Sequence, residues 1–199
     1  MVFRRQPGLW PLLPGCAPSA IVYSQRVANV ILGLLLLSPM SLYDLLQAFG
    51  AGVSLFYSAS SGSIKRALDD LVARGLVEVD QVRPGARGRK VHRVNDAGRQ
   101  AFETWMRSEL TEPDSERAVL SRLYFLGLLD DAGRHQVVEN IHRRTRSDLE
   151  RLEDLRRRLD AVEVPEDLAE VARFQCLVLE WGLASNRSAQ QWLDEHLSL

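Results

Sequence analysis

Arg83, Arg87, Arg89, Lys90 and Arg93 fall between Gln81 and Arg93, and no acid stands among them. The stretch Pro84-Gly85-Ala86-Arg87-Gly88 is turn-rich, which puts Arg87, Arg89 and Lys90 at a loop tip. Cations so placed suit nucleic-acid phosphates or a minor groove. Arg93 is as well suited to pairing with a nearby acid. Upstream, Lys65 and Arg66 stand side by side near the start of a helical pattern. A guanidinium matches a guanine edge bidentately, and an ammonium can serve phosphate or base. The alternative for both is a solvated helix face. Ser61 and Ser63 precede them, as helix caps or as phosphate contacts.

Other chemistries find little support. The chain has no G-x-S-x-G, P-loop, H-E-x-x-H or Rossmann fingerprint, so no enzyme and no cofactor are expected. His92, His135, His142 and His196 are scattered without metal-ligand spacing, and no metal site is expected. Cys16 and Cys176 cannot form a disulfide framework. Trp105, Trp181 and Trp192 are candidates for stacking on a small planar effector. A dimer core is the favoured alternative for Trp181 and Trp192 and is open for Trp105 as well. Arg143-Arg144-Thr145-Arg146 and Arg156-Arg157-Arg158 are interleaved with Asp148, Glu150, Glu153 and Asp154, the pattern of a solvated helix laced by i,i+4 pairs.

A net charge of −1 gives no bulk attraction to nucleic acid, so any such surface must be local. The apolar run Val30 to Leu37 is far shorter than the ~20 residues that cross a bilayer. Pro7, Pro11, Pro14 and Pro18 interrupt the apolar start too often for a signal peptide. A cytoplasmic protein that does not engage membranes is expected.

Positioning these residues falls to a run of short helices. Arg26 to Leu37 reads as a buried helix stopped by Ser38-Pro39. Ser41 caps a second, Leu42 to Phe49. A third starts in Ser58–Ser63, carries Ile64, Ala67, Leu68, Leu71 and Val72 on one face, and stops at Gly75. Leu76–Asp80 and Val91–Val94 read as a β-hairpin around the basic tip. Asn95 or Asp96 caps a helix running to about Leu110, and Pro113 marks a boundary. Beyond Ser115 all is helical. Gly133 is expected to open a long helix with Val138, Thr145, Leu152 and Leu159 every seven residues. Pro165 opens the last, Glu166 to about His196, with Val171, Phe174, Val178, Trp181, Ser185 and Trp192 on neighbouring faces.

Three helices followed by a basic hairpin give the order of a winged helix-turn-helix. Ile31-Leu32-Gly33-Leu34-Leu35 and Ser38-Pro39-Met40-Ser41-Leu42-Tyr43-Asp44-Leu45 resemble the opening of PadR-type transcriptional regulators. Ser60-Ser61-Gly62-Ser63-Ile64, Ala67-Leu68, Leu71 and Gly75-Leu76-Val77 resemble their recognition helix and wing entry. Gly88-Arg89-Lys90-Val91-His92-Arg93-Val94 and Ala97-Gly98-Arg99 are similar to their wing exit. The match covers about residues 27–107. It departs from the family at Lys65-Arg66, where Tyr-Pro is usual, and at Ser41-Leu42, where His-Gly is usual. The resemblance implies a homodimer with interlocking C-terminal helices that represses until a small molecule binds. It also implies that the Tyr43 hydroxyl reaches the DNA backbone, where the residues alone leave Tyr43 equally a core filler.

The expected fold class is mainly α: a winged helix-turn-helix DNA-binding domain (26–111) and an α-helical C-terminal dimerisation and effector domain (115–199), after an irregular arm (1–25). The expected function is a ligand-responsive repressor on a pseudo-palindromic operator. Its partners are double-stranded DNA, a second copy of itself and a small aromatic effector. The alternative is a winged-helix module that binds a protein partner and not DNA.

Overall fold

The computed structural model describes residues 20–80 and 90–197. Helix α1 spans Ala20–Leu37, β1 Met40–Ser41, α2 Leu42–Gly50 and α3 Ser61–Ala73. Strands β2 (Val77–Asp80) and β3 (Val91–Val94) follow, then α4 (Asp96–Arg107), α5 (Ser115–Tyr124), α6 (Asp131–Asp160) and α7 (Ala169–His196). The molecule is mainly helical, with one small sheet in the order β1-β3-β2. Both pairings are antiparallel, with Val79 and Met40 flanking His92 on either side.

Local chemistry explains each boundary. Ser41 is the N-cap of α2, and its side chain and that of Asp44 complete a reciprocal capping box. Gly75 takes φ +66°, its N–H donating to the Val72 carbonyl while the Leu76 N–H donates to that of Leu71. That double bond closes α3 in a left-handed turn open to glycine. Asn95 caps α4 by accepting from the Gly98 N–H.

Several expected boundaries move. Helix α1 begins at Ala20 and not at Arg26, so the expected irregular arm is helical over its last residues; Pro18 is the last breaker and nothing in Ala20–Gln25 opposes a helix. Strand β1 went unforeseen, because two residues show no alternation. Helix α4 ends at Arg107, short of Leu110. Gly133 does not open α6. Asp130 does, capping it by accepting from the Gly133 N–H inside the first turn. After Pro165 a single 3-10 turn, Glu166–Leu168, precedes α7.

The core is one contiguous cluster. Val27, Ile31, Leu34 and Leu35 of α1 meet Ile64, Leu68 and Leu71 of α3 and Phe102 and Met106 of α4. The cluster continues through Phe125 to Val137 and Ile141 of α6 and Leu193 of α7. Each large side chain buried there contributes about 1.5–3 kcal/mol before entropy is counted. Gly33 makes the join between the two halves possible, since a Cβ there would stand 2.7 Å from the Phe125 ring. The charged helices α6 and α7 pack along each other through Arg156–Glu180 and Arg187–Glu153 pairs. Within α6, Arg144–Asp148, Arg156–Asp160 and Arg158–Asp154 are the expected i,i+4 pairs. Thr145, polar in the apolar seam, is buried with its hydroxyl donating back to helix carbonyls at Ile141 or His142.

Candidate nucleic-acid interface

Helix α3 buries Ile64, Ala67, Leu68 and Leu71, which leaves Ser61, Gly62, Lys65, Arg66, Asp69 and Asp70 outward. Its cap is Ser60, whose hydroxyl oxygen accepts from the Ser63 N–H at 3.2 Å. Ser61 is therefore not the cap. Ser63 joins that network, its hydroxyl 2.9 Å from the Ser60 hydroxyl. Arg66 reaches back to the Ser63 hydroxyl at 3.4 Å, a long bond on an exposed side chain. The Lys65 ammonium is held 2.6 Å from the Asp69 carboxylate, with both side chains exposed.

A groove of about 500 Å³ runs beside α3. Ser41, Leu42 and Tyr43 line it from the start of α2, Lys65, Leu68 and Asp69 from α3, His92 from β3, and Lys90 from just before β3. The capping box fixes Tyr43 at this rim, where its ring is exposed; it is not core filler. Lys90 is exposed. His92 forms the floor. Its Nδ1 lies 3.3 Å from the Met40 carbonyl, and burial pulls its pKa below 6.5, with the Met40 bond and Asp69 opposing and Lys90 assisting. Burial thus favours its neutral form. The expected contacts Arg87 and Arg89 lie outside the described residues, as does Arg83.

The three tryptophans do not converge. Trp105 of α4 borders a void of about 20 Å³, room for one water. The guanidinium of Arg122 covers its ring. Trp192 of α7 borders a larger, mostly apolar cavity of about 340 Å³, with Val119, Leu120 and Leu123 of α5, Thr145 of α6, and Ser185, Asn186, Ala189 and Leu193 of α7. Trp181 is 76% exposed. It belongs to an outward stripe on α7 formed with Val171, Phe174 and Val178. Sequence reasoning also missed Asp69, though its i,i+4 spacing from Lys65 was readable, and Arg122, whose burial no local pattern signals. Among the described residues no three His, Cys, Asp or Glu side chains cluster to hold a metal. No described helix is long and apolar enough to cross a membrane.

Two family models match the chain. The transcriptional regulator PadR-like family covers residues 31–104, and the virulence activator alpha C-terminal domain covers 117–199. The chain is 27% identical over 164 residues to the probable transcriptional regulator Rv1176c of Mycobacterium tuberculosis, across 77% of this chain and 86% of that one. Bacillus subtilis PadR in complex with operator DNA is 21% identical, with a TM-score of 0.43, over 87% of this chain and 97% of that one. The same protein in complex with p-coumaric acid gives 21% and 0.40, over 88% and 95%.

Proposed function

We propose, from the match of residues 31–104 to the PadR-like transcriptional regulator family and of residues 117–199 to the virulence activator alpha C-terminal domain, that the chain is a PadR-like regulator: a homodimeric, ligand-responsive repressor of a pseudo-palindromic operator. The observation that carries the reading is the groove beside α3, which gathers Tyr43, Lys65 and Lys90, with Arg66 exposed next to Lys65 on the helix, in a chain of net charge −1. Helix α3 enters the major groove. Arg66 bonds a guanine edge, and Lys65 serves phosphate or base. Ser61, Ser63 and Tyr43 meet the flanking phosphates near the positive end of α3. The wing lays Arg87, Arg89 and Lys90 along the backbone or in the minor groove.

The outward stripe on α7 supports the dimer. Val171, Phe174, Val178 and Trp181 follow the 3-4 spacing of a helix-packing seam, and side chains of this size left in water mark an interface. To read a pseudo-palindrome, the two copies must hold their α3 helices about one DNA turn apart, roughly 34 Å. The effector pocket is the cavity beside Trp192, whose size suits a small ring system. A ligand releases DNA only by favouring a spacing of the two α3 helices that the operator rejects. The protein works in the cytoplasm and carries no catalysis of its own.

The test is binding to the duplex upstream of its own gene, titrated across salt, for wild type and Arg87→Ala/Arg89→Ala. Tight, selective binding with a steep negative salt slope, made shallower by the double substitution, is expected. Weak binding indifferent to sequence and to those arginines would overturn the reading and favour a protein partner.

A further inference from the structure

Asp69 places a carboxylate in the middle of the surface that should attract phosphate. It lies in the same groove as Tyr43, Lys65, Lys90 and His92. It is 62% exposed and 2.6 Å from the Lys65 ammonium, and its charge is felt at His92 on the groove floor.

Helix stability does not account for it. Aspartate is among the weaker formers in a helix interior. The pair also runs with the cation N-terminal to the acid, the less favourable order against the helix dipole. Nor does burial require it, since both partners face water. Toward nucleic acid the carboxylate has two effects. It repels phosphate oxygens and occupies Lys65, both of which lower affinity for any duplex. It can also accept a hydrogen bond from an exposed amino group, and cytosine N4 is the major-groove donor that aspartate reads. A sequence offering that donor is the one that offsets the repulsion.

We propose that Asp69 is a specificity-determining residue of the DNA-binding face, turning Lys65 from phosphates toward bases and admitting sites that set a cytosine amino group against its carboxylate. The inference rests on the reading of α3 as the recognition helix. It makes discrimination on this helix partly repulsive, so that wrong sequences are rejected as well as right ones bound.

Full-length wild type, Asp69→Asn and Asp69→Ala would be titrated by fluorescence anisotropy across salt. The duplexes would be a selected operator, the operator with each cytosine replaced in turn, and a random sequence. Circular dichroism would verify that the exposed substitutions leave the fold intact. Both variants are expected to bind random duplex more tightly, with a salt slope steeper by about one unit as Lys65 turns to phosphate. The ratio of operator to random affinity is expected to fall about tenfold or more, with the loss concentrated at one cytosine. A selective wild type whose selectivity Asp69→Asn reproduces unchanged overturns this inference alone. An unselective wild type overturns the regulator reading, and this inference falls with it.

Discussion

The guanidinium carbon of Arg122, on α5, lies 3.8 Å from the centroid of the Trp105 ring, on α4. Arg122 is 1% exposed, so this cation joins the winged half of the molecule to its helical half from within. Its Nη2 donates to the Ser108 hydroxyl and to Glu112, both at 3.4 Å, while Nε and Nη1 have no partner among the described residues. Burial pulls its pKa down to about 10, against the pull of Glu112. The group stays charged at neutral pH. The ring face supplies part of what water no longer does.

Removing that cation leaves Glu112 without its ion partner. Arg122→Ala is expected to lower the free energy of urea unfolding by about 3–5 kcal/mol. A double-mutant cycle with Trp105→Leu should return a coupling of about 1–2 kcal/mol for the cation over the ring. Additive losses would mean that the contact is geometric only.

Ser41 carries the rim of the groove through the capping box. Ser41→Ala removes the oxygen that accepts from the Asp44 N–H and the hydroxyl that donates to the Asp44 carboxylate at 2.8 Å. A loss of about 1–2 kcal/mol in urea melts is expected, with weaker DNA binding because Tyr43 loses its fixed position. Unchanged stability would show that Asp44 alone holds the end of α2.

His92 makes stability depend on pH. Its pKa is lowered in the fold, chiefly by burial, and is 6.5 in the reference state. Between those values the unfolded chain binds the proton that the folded chain refuses. The histidine's contribution is therefore complete above pH 6.5 and is lost as pH falls through that window to the folded value. Urea midpoints taken from pH 7.5 to 5 should fall more steeply for wild type than for His92→Gln. Parallel curves would show that the imidazole titrates freely.

These relationships differ in how far the chain announces them. Gly75, Ser41 and Asn95 were legible because caps and left-handed turns demand particular residues within a few positions. The order of helices and wing was legible from apolar spacing, and the α7 stripe from its recurrence. Asp130 was obscured by Gly133, since a glycine looks like a break even at a position where helices tolerate it. Tyr43 comes from α2, Lys65 from α3, and Lys90 and His92 from the wing, and the packing of α2 on α3 together with the pairing of Met40 with His92 brings them to one groove. Arg122 reads as one more surface cation until the fold closes over it.

The stripe on α7 should hold two copies together. Val178, 73% exposed, and Trp181 are its most exposed members. Val178→Asp/Trp181→Glu is expected to shift sedimentation from a dimer to a monomer, while helical content is retained. A variant that sediments as wild type does would place the interface elsewhere.

Selection from a randomised duplex library measures whether a symmetric pair of α3 helices recognises sequence. One pseudo-palindrome should be enriched, with half-site centres about one helical turn, or a multiple of it, apart. Lys65→Ala/Arg66→Ala should abolish that enrichment while leaving weak binding to any duplex. A wild-type pool that stays random after repeated rounds, or that yields only an unpaired half-site, would contradict it.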